Sequence, residues 1–127
     1  MSKLVFFVDD DKMMLNLLEY TLKNRQECDV ETFQSGEACL DNLSMNPDLI
    51  ILDHVFKSTE MDPLNGLQTL KKIRRVRKDI PVVILSSQDD QDLLDEFMAS
   101  GATRYIPKND YFIDVLMDTI DREFEQG

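Results

Sequence analysis

Asp48-Leu49-Ile50-Ile51-Leu52-Asp53 is an apolar run that ends abruptly on a carboxylate. Four aliphatic residues in succession, without polar alternation, suit a strand buried on both faces, as in a parallel sheet covered by helices. Asp53 is where such a strand reaches the surface. In open α/β sheets ligands collect in the crevice outside the carboxyl ends of the strands, so an acid at that edge is placed for chemistry.

The rest of the chain repeats this device. Leu4 to Val8 is a second unbroken apolar run and ends on Asp9-Asp10, while Val82-Val83-Ile84-Leu85 ends on Ser86-Ser87. Tyr105-Ile106 is a brief strand followed by Pro107 and Lys108, and Val30-Glu31-Thr32-Phe33 alternates like a strand nearer an edge. Between these runs the apolar period becomes helical. Asp11 caps a helix carrying Met14, Leu15, Leu18 and Leu22 to about Arg25, and Ser35-Gly36 opens one through Ala38, Leu40 and Leu43 that Asn46-Pro47 ends. A helix from about Leu67 to Arg77 turns Leu67, Leu70 and Ile73 inward and leaves Lys71, Lys72, Arg74 and Arg75 as a solvated face. Asp89 or Asp90 caps the next, with Leu93, Leu94, Phe97 and Met98 as core, and the last runs from about Tyr111 to Phe124. Five strands alternating with five helices predict parallel βα units with helices on both faces. The polar stretch from His54 to Gly66 is a long connection at the edge where Asp53 emerges.

A chain of 127 residues with 43% apolar content reads as one domain over residues 1–127. Fourteen basic residues against twenty-five acidic ones give a net charge of −11, which argues against nucleic acid or an anionic membrane as partner and in favour of a protein or a cation. The N-terminal apolar run is cut short by Asp9-Asp10-Asp11, so it reads as a strand rather than a signal peptide. Cys28 and Cys39 form no C-x-x-C pair and are expected as thiols in a cytoplasmic protein.

Asp9, Asp10, Asp53, Ser86 and Lys108 each follow a strand directly, so the parallel sheet would gather them at one edge. Carboxylates brought together raise each other's proton affinity unless a cation neutralises them. Magnesium is the simplest such cation, being held by one or two carboxylates together with waters and phosphate oxygens. A lysine charge and a serine hydroxyl suit phosphoryl oxygens. Asp53 could then be the nucleophile that forms an aspartyl phosphate, with charge stabilisation supplied by the metal and Lys108. Other readings stay open residue by residue: Asp9 and Asp10 as strand end and helix cap, Ser86 as a cap, and Tyr105 as a half-buried packing aromatic.

Val8-Asp9-Asp10, Leu49-Ile50-Ile51-Leu52-Asp53, Gly66-Leu67, Pro81-Val82-Val83-Ile84-Leu85-Ser86 and Gly101-Ala102-Thr103-Arg104-Tyr105-Ile106-Pro107-Lys108, in this order, resemble the motifs of two-component response-regulator receiver domains. The resemblance spans essentially the whole chain. It implies a flavodoxin-like (βα)5 fold, a doubly wound parallel five-stranded sheet of order 2-1-3-4-5. It also implies that Asp9 and Asp10 bind Mg²⁺ with Asp53 and the backbone carbonyl of Val55, that Asp53 is the phosphoacceptor, and that Lys108 contacts the phosphoryl group. Ser86 and Tyr105 match the switch hydroxyl and the switch aromatic. The chain departs from the pattern in its longer loop after Asp53 and in Asn109, which stands where proline is common, so the Lys108–Asn109 peptide is expected trans.

The expectation is therefore a stand-alone, chemotaxis-regulator-like receiver domain. It would take a phosphoryl group from a histidine kinase or histidine phosphotransfer protein, acting as acceptor and switch rather than turnover enzyme. Its output would be a downstream protein bound on the face of the fourth helix, fifth strand and fifth helix, and a phosphorylation-dependent dimer stays open. The rivals are a phosphorylation-independent scaffold of the same fold and an aspartyl-nucleophile phosphatase. Val55, standing two residues after Asp53 where those enzymes carry a second acid, counts against the phosphatase. A nucleotide- or flavin-binding domain is disfavoured because acids, not glycines, follow the first strand.

Overall fold

The computed structural model describes residues 3–23, 28–53, 65–86 and 91–126. In chain order it contains β1 (Lys3–Val8), α1 (Lys12–Lys23), β2 (Cys28–Phe33), α2 (Gly36–Asp41), a 3-10 turn (Leu43–Met45), β3 (Leu49–Asp53), α3 (Gly66–Val76), β4 (Val82–Ser86), α4 (Gln91–Ala99), β5 (Arg104–Pro107) and α5 (Phe112–Gln126). The strands form one parallel sheet in the order β2-β1-β3-β4-β5. This is the expected flavodoxin-like order, and the alternating edge segment lies at the rim.

The continuous apolar runs serve both faces by strand alternation. Phe6, Val8, Ile50, Leu52, Val82 and Ile84 pack with Cys39, Leu43, Leu70, Ile73 and Phe97 from the α2, α3 and α4 side. Val5, Phe7, Leu49, Ile51, Val83 and Leu85 pack with Leu15, Leu18, Leu22, Leu116 and Ile120 from α1 and α5. No residue of β3 or β4 is left at the surface, which anchors the ends where the polar residues emerge.

The helix starts follow local chemistry. Asp11 Oδ1 accepts from the Met13 and Met14 N–H groups at the start of α1, and Ser35 Oγ accepts from the Ala38 N–H. Asn65 and Gln68 close a reciprocal capping box on α3. The cap expected from Asp89 or Asp90 and the end of α1 near Arg25 lie outside the described residues, as do His54, Val55 and the Lys57–Pro63 loop.

Three expectations need correction. The second helix stops at Asp41, and Leu43 sits in the 3-10 turn, because the Asn42 side chain bonds back to the Ala38 carbonyl and the turn closes on Asn46 in the left-handed region at φ 57°. Met98 is 42% exposed, since Phe97 takes the inward position beside it. Arg74 is not a solvated charge. Its guanidinium donates to the carbonyls of Gly101 at 2.9 Å and Ile80 at 2.7 Å, tying the end of α3 to the turn after α4.

No described helix is long and apolar enough to cross a membrane. The described backbone has no cis peptide, and the Lys108–Asn109 bond is trans as expected.

Candidate functional site

Sheet register brings the strand-end polar residues side by side. Val8 pairs with Leu52, Asp53 with Leu85, and Ser86 with Pro107. One residue further along, Asp9, Asp53, Ser86 and Lys108 therefore stand at the ends of four neighbouring strands, β1, β3, β4 and β5. Two backbone bonds hold this edge in place. The Asp9 N–H donates to the Phe33 carbonyl at 3.0 Å, and the Lys108 N–H to the Ser86 carbonyl at 2.7 Å.

Within that edge, Asp53 is 2% exposed and its Oδ2 forms an ion pair with Lys108 Nζ. Asp9 is 3% exposed. Its Oδ1 accepts from the Asp11 N–H at 2.9 Å, while its buried Oδ2 has no hydrogen-bond partner among the described residues. Burial, and next the Asp53 side chain beside it, push the Asp9 carboxyl from 3.8 up to about 8. Ser86 is buried at the end of β4. Tyr105 is half-buried, with its ring tilted against Phe97 at 5.9 Å between centroids. It also lines a cleft with Leu94 and Met98 of α4 and Val115 and Thr119 of α5.

The five residues expected at the edge thus differ in placement. Asp9, Asp53 and Lys108 meet and Ser86 adjoins them through the register, whereas Asp10 is exposed. Among the described residues no three His, Cys, Asp or Glu side chains form a group suited to a metal. Magnesium does not require one, since a carboxylate or two with waters suffices. The donor set fits such an ion on one observation: the Asp9 Oδ2 is a buried, unsatisfied hard oxygen beside a second carboxylate. Val55, expected to add a carbonyl, lies outside the described residues. Sequence reading missed the backbone N–H of Asp11, which orients Asp9. The signal was the Asp-x-Asp spacing, which favours an Asx turn.

A family model described as the response regulator receiver domain matches residues 5–121. The protein-glutamate methylesterase/protein-glutamine glutaminase of Clostridium acetobutylicum is 34% identical over 108 residues, covering 82% of this chain and 30% of that protein. The chain spans less than half the length of the curated relatives it matches. Among solved structures, the BeF3-activated receiver domain of DrrB, a Thermotoga maritima regulator, superposes with a TM-score of 0.84 at 24% identity, covering 98% of this chain and 99% of that one. The Mn(2+)-bound form of response regulator Rcp1 superposes with a TM-score of 0.74 at 23% identity, covering 88% and 85%. With the family model matching nearly its whole length, the chain belongs to the receiver-domain family of two-component response regulators.

Proposed function

We propose that this receiver domain accepts a phosphoryl group on Asp53 from the phosphohistidine of a histidine kinase or phosphotransfer protein, and that residues 1–127 act as one receiver unit. The observation that carries the reading is the buried Asp53 carboxylate at the end of β3, held by Lys108 with the buried Asp9 carboxyl beside it. In the transfer, an Asp53 carboxylate oxygen attacks phosphorus. The P–O bond forms as the P–N bond breaks, and the bonding pair returns to the imidazole nitrogen. Lys108 orients the nucleophile and then pairs with a phosphoryl oxygen, which is positioning and electrostatic work of the kind this reaction needs.

Asp9, Asp10, Asp53 and the Val55 carbonyl would hold the divalent cation. When bound, Mg²⁺ supplies charge neutralisation for the carboxylates and the phosphoryl oxygens. The metal-bound Rcp1 and the beryllofluoride-activated DrrB domain are consistent with that chemistry in proteins of this fold. Ser86 donates its hydroxyl to the phosphoryl group, and Tyr105 turns in the cleft between α4 and α5. The face of α4, β5 and α5 then carries the signal to a protein partner. The domain acts as acceptor and switch, without turnover of a separate substrate, in the cytoplasm.

Incubation with acetyl phosphate, with and without Mg²⁺, followed by intact-mass measurement tests this. The expected result is a single Mg²⁺-dependent phosphoryl adduct in the wild type and none in Asp53→Asn. An equal adduct in the variant rejects Asp53 as acceptor.

A further inference from the structure

The chain carries a net charge of −11, yet six of its fourteen basic residues fall within positions 71–78, where there is no acid. Arg74 is used internally, and Arg77 is held by Asp79 at 3.0 Å and by Asn46 at 2.8 Å. Lys72 and Arg75 are exposed and have no ion-pair or hydrogen-bond partner among the described residues. They stand over a groove of about 570 Å³ between the end of α2 and the end of α3. Its apolar surface comes from Leu40, Leu43 and Val76, of which Val76 is 68% exposed. Asp41 is the one acid in its wall among the described residues.

The apolar groove is bordered by Lys72 and Arg75, which have no partner among the described residues. We propose that this groove docks an acidic amphipathic helix of a partner protein, with apolar side chains seated on Leu40, Leu43 and Val76 and carboxylates against Lys72 and Arg75.

Charge decides between occupants. A long polyanion or an anionic membrane would bring many charges within reach of the acidic remainder of the chain and be repelled. A short acidic helix whose carboxylates flank its apolar stripe can set some of them within about one Debye length, ~8 Å, of the basic rim. The groove is open, with Lys72, Arg75 and Val76 exposed along it, Leu40 half-buried and Leu43 buried beneath, which suits the face of a helix with anchors at i, i+3, i+4 and i+7 rather than an enclosed small molecule. The docking does not require phosphorylation of Asp53.

The test is fluorescence anisotropy of a labelled peptide of about three helical turns, with leucines at i, i+3, i+4 and i+7 and glutamates at the positions flanking that stripe, titrated with the full chain. Saturable binding is expected, weakened at least about tenfold in a composition-matched scramble, in Lys72→Glu/Arg75→Glu and in Val76→Asp. Circular dichroism verifies that these surface variants fold. Amide shift changes should centre on residues 36–45 and 66–77. Equal binding of the scramble, unchanged affinity in the charge-reversed variant, or shifts centred on α4 and α5 would overturn the proposal. So would tighter binding of an oligonucleotide. Sedimentation showing that the chain self-associates through this groove, with loss in the same variants, would make the occupant a second copy and overturn it too.

Discussion

Replacing Asp9 by asparagine should stabilise the metal-free protein, although most single substitutions destabilise. In the wild type the Asp9 carboxyl is pushed from 3.8 up to about 8 by burial and by the neighbouring Asp53. At pH 7 an unfolded chain carries this group ionised, and folding must either protonate it or bury its charge. At about 1.4 kcal/mol per tenfold change in proton affinity, the cost at pH 7 is at most about 4 kcal/mol. Asparagine has the same shape and no charge. Its carbonyl can still accept from the Asp11 N–H, and its amide can donate to Asp53.

The pH dependence follows with a definite sign. Because the folded-state affinity is raised, the folded protein binds the extra proton, so this group's contribution to stability falls as pH rises from about 4 to about 8 and is flat above. The advantage of Asp9→Asn should therefore widen from about pH 5 to about pH 8 and then level off. Urea denaturation in the presence of a chelator, repeated across that range, measures it. A variant less stable than wild type by about 1 kcal/mol at pH 7, or an advantage independent of pH, would refute the picture of a strained, proton-hungry Asp9.

Gly101 sits at φ +106°, and a Cβ there would lie 3.0 Å from the Cγ and Nε of Arg74, whose guanidinium is fixed by its carbonyl partners. Gly101→Ala should cost about 2 kcal/mol in denaturant melts, and a change under about 0.5 kcal/mol would show that the turn relaxes freely. Cys39 is buried and its thiol is pushed up to about 12 by burial, so iodoacetamide at neutral pH should leave it unmodified until the protein unfolds. Labelling of Cys39 in peptide maps of the native protein would contradict that.

Much of this molecule was legible before any coordinates. Unbroken aliphatic runs at Leu4–Val8, Leu49–Leu52 and Val82–Leu85 suit only strands covered on both faces, and helical spacing between them implies crossovers. Since every such strand ends on a polar residue, parallel pairing carries Asp9, Asp53 and Ser86 to a shared edge. The strand order was reached through resemblance, because apolar runs of similar composition can be permuted without altering their pattern.

Tertiary structure decided what neighbouring residues of like chemistry do. Asp9 and Asp10 are identical side chains in succession, yet one is buried and the other exposed, because β1 stays paired through Asp9 by its bond to Phe33 and successive side chains of an extended chain point to opposite sides. The same holds for Arg74, drawn under Gly101, and Arg75, left over the groove one residue later. Residue type states what a group can do. Which carbonyl, carboxylate or solvent it meets is set by contacts between segments distant in sequence, and no local pattern encodes those.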